Sequence, residues 1–216
     1  MIDQQLAYNF IAIEGNIGAR KTTLSKKLAA DFNTRLILEQ FAENPFLPKF
    51  YAEPEKHAFP LELSFSAERY QQLKNELSIQ DLFKPNIISD YYFLKSLIFS
   101  KANLSEDEFG LYSKLFHIIN DSLPKPDLFV YLYHDVERLQ ENIKKRGRSY
   151  EQNISDDYLI KIQTAYFDFI KQLNDLRILV IDVNNIDFAN DQEHYQQLIK
   201  TINQPYDFGI TRIIVT

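Results

Sequence analysis

The stretch Phe10-Ile11-Ala12-Ile13-Glu14-Gly15-Asn16-Ile17-Gly18-Ala19-Arg20-Lys21-Thr22-Thr23 constrains this chain more than any other. Four consecutive apolar residues read as a strand buried on both faces, a glycine-containing loop follows, and the residues from Lys21 onward open a helical pattern. A loop of this kind can gather backbone N–H groups and the positive end of a helix around phosphate oxygens. Lys21 then reaches the outer phosphates and Thr22 offers its hydroxyl to magnesium. The candidate nucleotide-binding residues are therefore Gly15, Asn16, Ile17, Gly18, Ala19, Arg20, Lys21, Thr22 and Thr23. The pattern G-x-x-x-x-G-K-[ST] has a glycine immediately before the lysine. Arg20 stands there instead and is expected to carry a β-carbon and a long chain into the space that the phosphates need. Two plainer readings stand beside this one: a strand-loop-helix junction with incidental glycines, and a normally folded loop that binds nucleotide poorly.

A chain of 216 residues, 45% hydrophobic and 14% aromatic, suits one well-buried α/β core, so a single domain over residues 1–216 is expected. A net charge of -6 argues against a nucleic-acid polymer as partner and leaves room for a local basic site that holds a small anion. With no cysteine, disulfides, thiolate metal ligands and a cysteine nucleophile are excluded. The amino terminus has no basic segment followed by an apolar one, and no apolar run reaches the length of a membrane span. A cytoplasmic, soluble protein without a membrane partner is the expectation.

Helices and strands alternate after the loop. A helix over 21–31 leads to a strand over 35–38 that ends at Glu39, and a carboxylate at that place in an open α/β sheet faces the ligand crevice. Glu39 is thus a candidate catalytic base, or else a solvated turn residue. A third strand over 86–90 ends in Asp90. Asp135 and Asp182 also follow apolar strands, and Asp135 is better explained as a helix N-cap. Ser105 with Glu108 has the spacing of a capping box for a helix over 105–123. The run Lys144-Lys145-Arg146-Gly147-Arg148 closes a helix over 136–145. Arginines there can close over a phosphoryl group, or simply favour the helix dipole.

Taken together, these pieces resemble the deoxynucleoside kinases, the P-loop family of deoxycytidine, deoxyguanosine and deoxyadenosine kinases. The resemblance is carried by Ile13-Glu14-Gly15-Asn16-Ile17-Gly18, Glu39, Asn44-Pro45, Phe50-Tyr51 with Pro54, the helix over 58–70, and Arg146-Gly147-Arg148 followed by Glu151-Gln152 and Tyr158-Leu159. It covers most of the chain, from about Phe10 to the last helix over 189–203. It implies that Glu39 takes the proton of the nucleoside 5′-hydroxyl, that Tyr51 and Glu151 hold the sugar 3′-hydroxyl, and that Arg146 and Arg148 form a lid. It also implies that Leu47 and Phe50 line the base pocket, unless they are ordinary core, that Arg69 borders it, and that Phe99 stacks on the base. Asp90 corresponds to the acid of an acidic-Arg-Ser motif that supports magnesium, with Tyr91 where that motif has arginine. One positive charge is then missing or supplied elsewhere.

Glu62 stands where the family typically has a glutamine. An ionised carboxylate only accepts hydrogen bonds, and guanine presents two adjacent donors, N1–H and the 2-amino group, so deoxyguanosine is favoured. A solvent-facing or cation-paired Glu62 is the alternative. The resemblance further implies ATP and magnesium as cofactors, adenine held near residues 184–188, and a homodimer built on helices such as 105–123, whose apolar face could equally pack within one subunit. The expected architecture is an α/β P-loop nucleoside kinase fold, a five-stranded parallel sheet covered on both faces with an arginine-rich lid. Residues 205–216 end in the β-prone Ile213-Ile214-Val215 and receive no function. Two other functions stay open: a nucleotide-binding regulatory protein with impaired catalysis, and a nucleoside monophosphate kinase. A GTPase is disfavoured because Asn-Lys-x-Asp is absent.

Overall fold

The computed structural model describes residues 5–40, 44–79 and 81–216. Strand β1 (Phe10–Gly15) is followed by α1 (Lys21–Asp31), β2 (Arg35–Ile37), α2 (Leu47–Ala52), α3 (Pro54–Ser78) and β3 (Ile87–Ser89). Then come α4 (Leu94–Asn103), α5 (Glu106–Asn120), β4 (Leu128–Tyr133), α6 (Val136–Arg146), a short 3-10 turn (Ser149–Glu151), α7 (Asp156–Ile170), β5 (Arg177–Asp182), α8 (Gln192–Ile202) and β6 (Gly209–Ile214).

The strands form one parallel sheet in the order β2-β3-β1-β4-β5-β6. Its layering follows from the two-residue period of a strand. Ile11 and Ile13 of β1, with Val130 and Leu132 of β4, enter a core beneath α1, α6 and α8, while Phe10, Ala12, Phe129 and Tyr131 enter the opposite core beneath α3, α4, α5 and α7. Ile11 and Ile13 are fully buried, and burial of such a side chain stabilises the fold by about 2 kcal/mol. β1 lies between β3 and β4, where the strand order switches direction, so the crevice beyond its carboxyl end is the natural ligand site.

The sheet has six strands where the sequence predicts five. β6 pairs with β5 from Arg177 opposite Gly209 to Asp182 opposite Ile214. Its residues alternate between half-buried and exposed, unlike the wholly buried β1, because β6 is an edge strand. It satisfies the free hydrogen-bonding groups along the edge of β5. Two other elements depart from their expected form. The predicted helix over 58–70 belongs to the longer α3, which starts at Pro54, where a missing N–H costs least, and carries Pro60 inside it, where one backbone hydrogen bond is lost. Asp135 precedes α6 at the N-cap position, but its side chain makes no cap bond and accepts from the Tyr133 hydroxyl at 3.0 Å. Glu108 does accept the Ser105 N–H at 3.1 Å, as the capping-box spacing requires. Among the described residues, no helix is long and apolar enough to cross a membrane.

Candidate active site

The loop after β1 has the shape its glycines allow. Gly18 has φ +84°, and a β-carbon there would come within 2.7 Å of the Leu139 carbonyl oxygen, so α6 packs directly on the loop backbone. Arg20 takes the left-handed conformation a glycine would take, with φ 59° and ψ 25°. Its side chain does not enter the phosphate space, which corrects the sequence expectation. It runs outward, Nε donating to Asn142 Oδ1 at 2.9 Å and Nη1 to Asp187 Oδ1 at 2.7 Å, while Asn142 Nδ2 donates to the Gly18 carbonyl at 2.9 Å. A β-carbon at this backbone conformation costs about 1 kcal/mol, and these bonds offset it.

Lys21 Nζ donates to the carbonyl oxygens of Gly15 and Asn16, both at 2.9 Å, and so folds back over the loop. Burial, and then the nearby Lys95, lower its pKa to about 8. Asn16 ties the loop to α7 through Nδ2 and the Leu159 carbonyl at 2.8 Å, and Ala19 is fully buried beneath the turn. Ile17 borders the cleft, whereas Thr23 is exposed on the first turn of α1.

Two strand ends meet opposite this loop. Thr22 Oγ1 donates to Asp90 Oδ2 at 2.5 Å, and Asp90 Oδ1 accepts the backbone N–H of Glu39 at 2.7 Å. The Glu39 carboxylate is held on both oxygens: Arg69 Nε and Nη2 donate to Oε1 at 2.9 and 2.6 Å, and Lys95 Nζ donates to Oε2 at 2.5 Å. Burial alone would raise its pKa, but Lys95 and then Arg69 outweigh burial and hold it well below the usual carboxylate range. Tyr91 turns away, fully buried, with its hydroxyl donating to Gln72 Oε1 at 2.8 Å.

The far end of the cleft has mostly apolar walls around one carboxylate and the Asn103 amide. Leu47 and Phe50 from α2, Leu61 and Phe65 from α3, Phe99 from α4 and Tyr158 from α7 wall it. Among them lies Glu62, 1% exposed. Its Oε1 accepts from Asn103 Nδ2 at 2.7 Å, and its buried Oε2 has no partner among the described residues. Burial raises its pKa to about 7, against the lowering effect of Arg69 and Asn103.

Between the two ends sits the lid. Gly147, left-handed at φ +74°, ends α6 and lets the chain reverse between the two arginines. Arg146 and Arg148 both pair with Glu151, the latter at 3.0 Å, and Glu151 is 5% exposed. Tyr51 stacks on Tyr150 with ring centres 5.9 Å apart, and burial, then Glu151, push its hydroxyl above the usual tyrosine range.

One cleft thus gathers Lys21, Thr22, Glu39, Asp90 and the lid with every residue read as a nucleoside contact. Outside it are the side chains of Arg20 and Thr23, and Asp182, whose carboxylate accepts from Asn184. The sequence reading gave no site role to Leu61, Phe65, Lys95 or Asn103, and quoted Tyr158 only as part of the lid motif. Lys95 left a signal, since it interrupts the otherwise apolar run Phe93-Leu94-Lys95-Ser96-Leu97-Ile98-Phe99. Asn103 lies four residues after Phe99 and so on the same helix face.

A carboxylate clamped by two cations across from the lysine of a phosphate loop is an arrangement for moving a phosphoryl group, which puts the protein among the P-loop kinases. Comparison with known proteins narrows the class. The family described as deoxynucleoside kinase matches residues 11–206. The chain is 36% identical to a deoxyguanosine kinase of Bacillus subtilis (strain 168), over 90% of this chain and 96% of the relative. It is 33% identical to a deoxyadenosine kinase of Dictyostelium discoideum, over 88% and 77% of the two chains. A structure of deoxyadenosine kinase from M. mycoides with bound dATP superposes with a TM-score of 0.77 at 26% identity, covering 90% of this chain and 98% of that one. The chain belongs to the deoxynucleoside kinase family.

Proposed function

We propose that the protein transfers the γ-phosphoryl group of ATP to the 5′-hydroxyl of a purine deoxynucleoside, with deoxyguanosine preferred, as a step of nucleotide salvage. The observation that carries this reading is the unpartnered Glu62 Oε2 inside an apolar pocket. A buried acceptor without a partner costs roughly 1–3 kcal/mol, and guanine offers two adjacent N–H donors to a carboxylate whose other oxygen Asn103 already orients. Relatives named for deoxyguanosine and deoxyadenosine support a purine acceptor.

In this reading Glu39, kept ionised and weakly basic by Lys95 and Arg69, orients the 5′-hydroxyl through a lone pair they leave free and takes its proton only as the bond to phosphorus forms and acidifies that hydroxyl. Lys21 and the backbone of residues 15–20 hold the triphosphate, and Tyr51 and Glu151 hold the sugar 3′-hydroxyl. Arg146 and Arg148 exchange Glu151 for phosphate oxygens as the lid closes. Thr22 and Asp90 present hard oxygen ligands, which suit magnesium. Bound there, magnesium would neutralise charge on the nucleotide phosphates. A homodimer is supported by Leu111, Leu115 and Ile118, large apolar side chains spaced along one face of α5 and 54%, 42% and 74% exposed.

A second reading, a nucleoside-binding regulatory protein, is favoured by one observation: Tyr91 withdraws from the site and supplies no charge. Incubating the purified protein with ATP, magnesium and each deoxynucleoside, with Glu39→Gln as control, separates the two. Glu39-dependent monophosphate formation, fastest with deoxyguanosine, is the expected result. Nucleoside binding without turnover would establish the regulatory reading, and equal turnover of all four deoxynucleosides would remove the assignment of Glu62.

A further inference from the structure

Lys95 is a cation that none of the motifs above accounts for. It stands on the first turn of α4, is 7% exposed, and lines the cleft beside Lys21, Glu39 and Asp90. Lysine is almost never buried to this extent without a partner, and a buried ion pair is poor evidence of a gain in stability, because desolvation opposes it. Nor is Lys95 needed to position Glu39, since Arg69 already places two N–H groups on Oε1. Arg69 in turn has Nη1 on Ser96 Oγ at 2.9 Å, so each of its three nitrogens donates to a group other than the phosphate loop. The Lys95 ammonium has two further protons beyond the one on Glu39 Oε2. It is also close enough to Lys21 to repel its charge. It therefore contacts the proposed base and lies within charge range of the proposed phosphate lysine.

We propose that Lys95 is a catalytic residue whose ammonium, anchored on Glu39 Oε2, contacts the phosphoryl group in transit and supplies the positive charge that position 91 does not. Lys95 has this role only if the cleft transfers a phosphoryl group as proposed above. As the 5′-oxygen forms its bond to the γ-phosphorus, its proton passes to Glu39. The bond to the bridging oxygen of ADP breaks, and its electron pair stays on ADP. Lys95 keeps its proton throughout and stabilises the negative charge on the phosphoryl oxygens. Electrostatic stabilisation of this kind carries most of the catalysis in phosphoryl transfer.

The test is Lys95→Gln, which keeps a donor for Glu39 and removes the charge, beside Lys95→Arg, which keeps the charge. Lys95→Gln should lower kcat about 100-fold. KM for ATP and for deoxynucleoside should stay within about 3-fold, and Lys95→Arg should recover at least a tenth of the wild-type rate. Binding of ADP, magnesium, aluminium fluoride and deoxynucleoside, which imitates the group in transit, should weaken in Lys95→Gln but persist in Glu39→Gln. A kcat within about 3-fold of wild type in Lys95→Gln, or a loss confined to nucleoside KM, overturns the role. So does unaltered binding of the fluoride complex. If Lys95→Gln does not melt cooperatively, Lys95→Arg decides, with less than a hundredth of the rate in a folded protein counting against the role. An inactive wild type would instead refute the kinase reading itself.

Discussion

The two ends of the cleft are built on opposite terms. At the phosphate end every charged group is engaged: Lys21 on two carbonyls, Thr22 on Asp90, Asp90 on the Glu39 backbone, and Glu39 between Arg69 and Lys95. At the end proposed for the base, a carboxylate is buried with one oxygen that has no partner among the described residues. The first is a fixed electrostatic field that needs little rearrangement when charge moves, which is what lowers a barrier. The second is a site whose own energy is improved by a ligand with matching donors, which is what gives selectivity. In the proposed reading chemistry and recognition lie in different side chains and should fail separately, apart from the charge coupling of Arg69, Lys95 and Glu39 to Glu62.

The comparison breaks most sharply at Glu39. Glu39→Gln should lower kcat by about 1000-fold, with little change in which deoxynucleoside is preferred. It also leaves Arg69 and Lys95 without their shared carboxylate, so a fall in melting temperature should accompany the loss. A changed base preference in this variant would show that the two ends are coupled. Next in size is Glu62→Gln, which should lower kcat/KM for deoxyguanosine relative to deoxyadenosine by about 10- to 100-fold with kcat retained, because an amide puts a donor where guanine needs an acceptor. An unchanged ratio would mean that Glu62 does not meet the base.

Acid should do the same thing reversibly. Glu62 titrates near pH 7 in the folded protein, raised by burial against Arg69, Asn103 and Lys95, with Glu39 adding to the rise. Above that pH it is a double acceptor suited to guanine. Below it the carboxyl gains an O–H donor and, like an amide, suits the donor and acceptor edge of adenine. The preference for deoxyguanosine over deoxyadenosine should therefore fall about tenfold from pH 8 to pH 6, and the fall should be absent in Glu62→Gln. Steady-state kinetics with both nucleosides across that range measures it.

The smallest effect is at Arg20. Its side chain lies outside the phosphate space, so Arg20→Gly should change kcat by less than about 3-fold. Relief of the left-handed backbone, about 1 kcal/mol, should be balanced by the lost bonds to Asn142 and Asp187, leaving the melting temperature nearly unchanged. A large gain in turnover would instead mean that the arginine obstructs the loop.

Much of this arrangement can be read from local order along the chain. β1, the loop and α1 are fixed by an apolar run, two glycines and a lysine-threonine pair within fourteen residues. Glu39 and Asp90 declare themselves because each follows a strand whose carboxyl end must face the crevice. The Arg-Gly-Arg lid is legible for a similar reason, as only the glycine turns the chain there. Arg20 was misjudged because its type is visible in sequence but its direction is not. Asn142 and Asp187, which draw it outward, lie 122 and 167 residues away.

The sequence by itself determined the alternating parallel architecture, the phosphate loop and the set of carboxylates and arginines around it, since each depends on periodicity or on neighbours in the chain. Only the tertiary structure decided that Lys95 shares Glu39, that Glu62 is buried with an oxygen to spare, that Arg20 points away from the phosphates, and that residues 209–214 form a sixth strand. Those outcomes depend on how far charges are removed from water and on which unpaired backbone lies alongside. Both are properties of packing between segments distant in sequence, for which local pattern gives only a hint, such as the β-prone Ile213-Ile214-Val215 or the lysine within the apolar run 93–99.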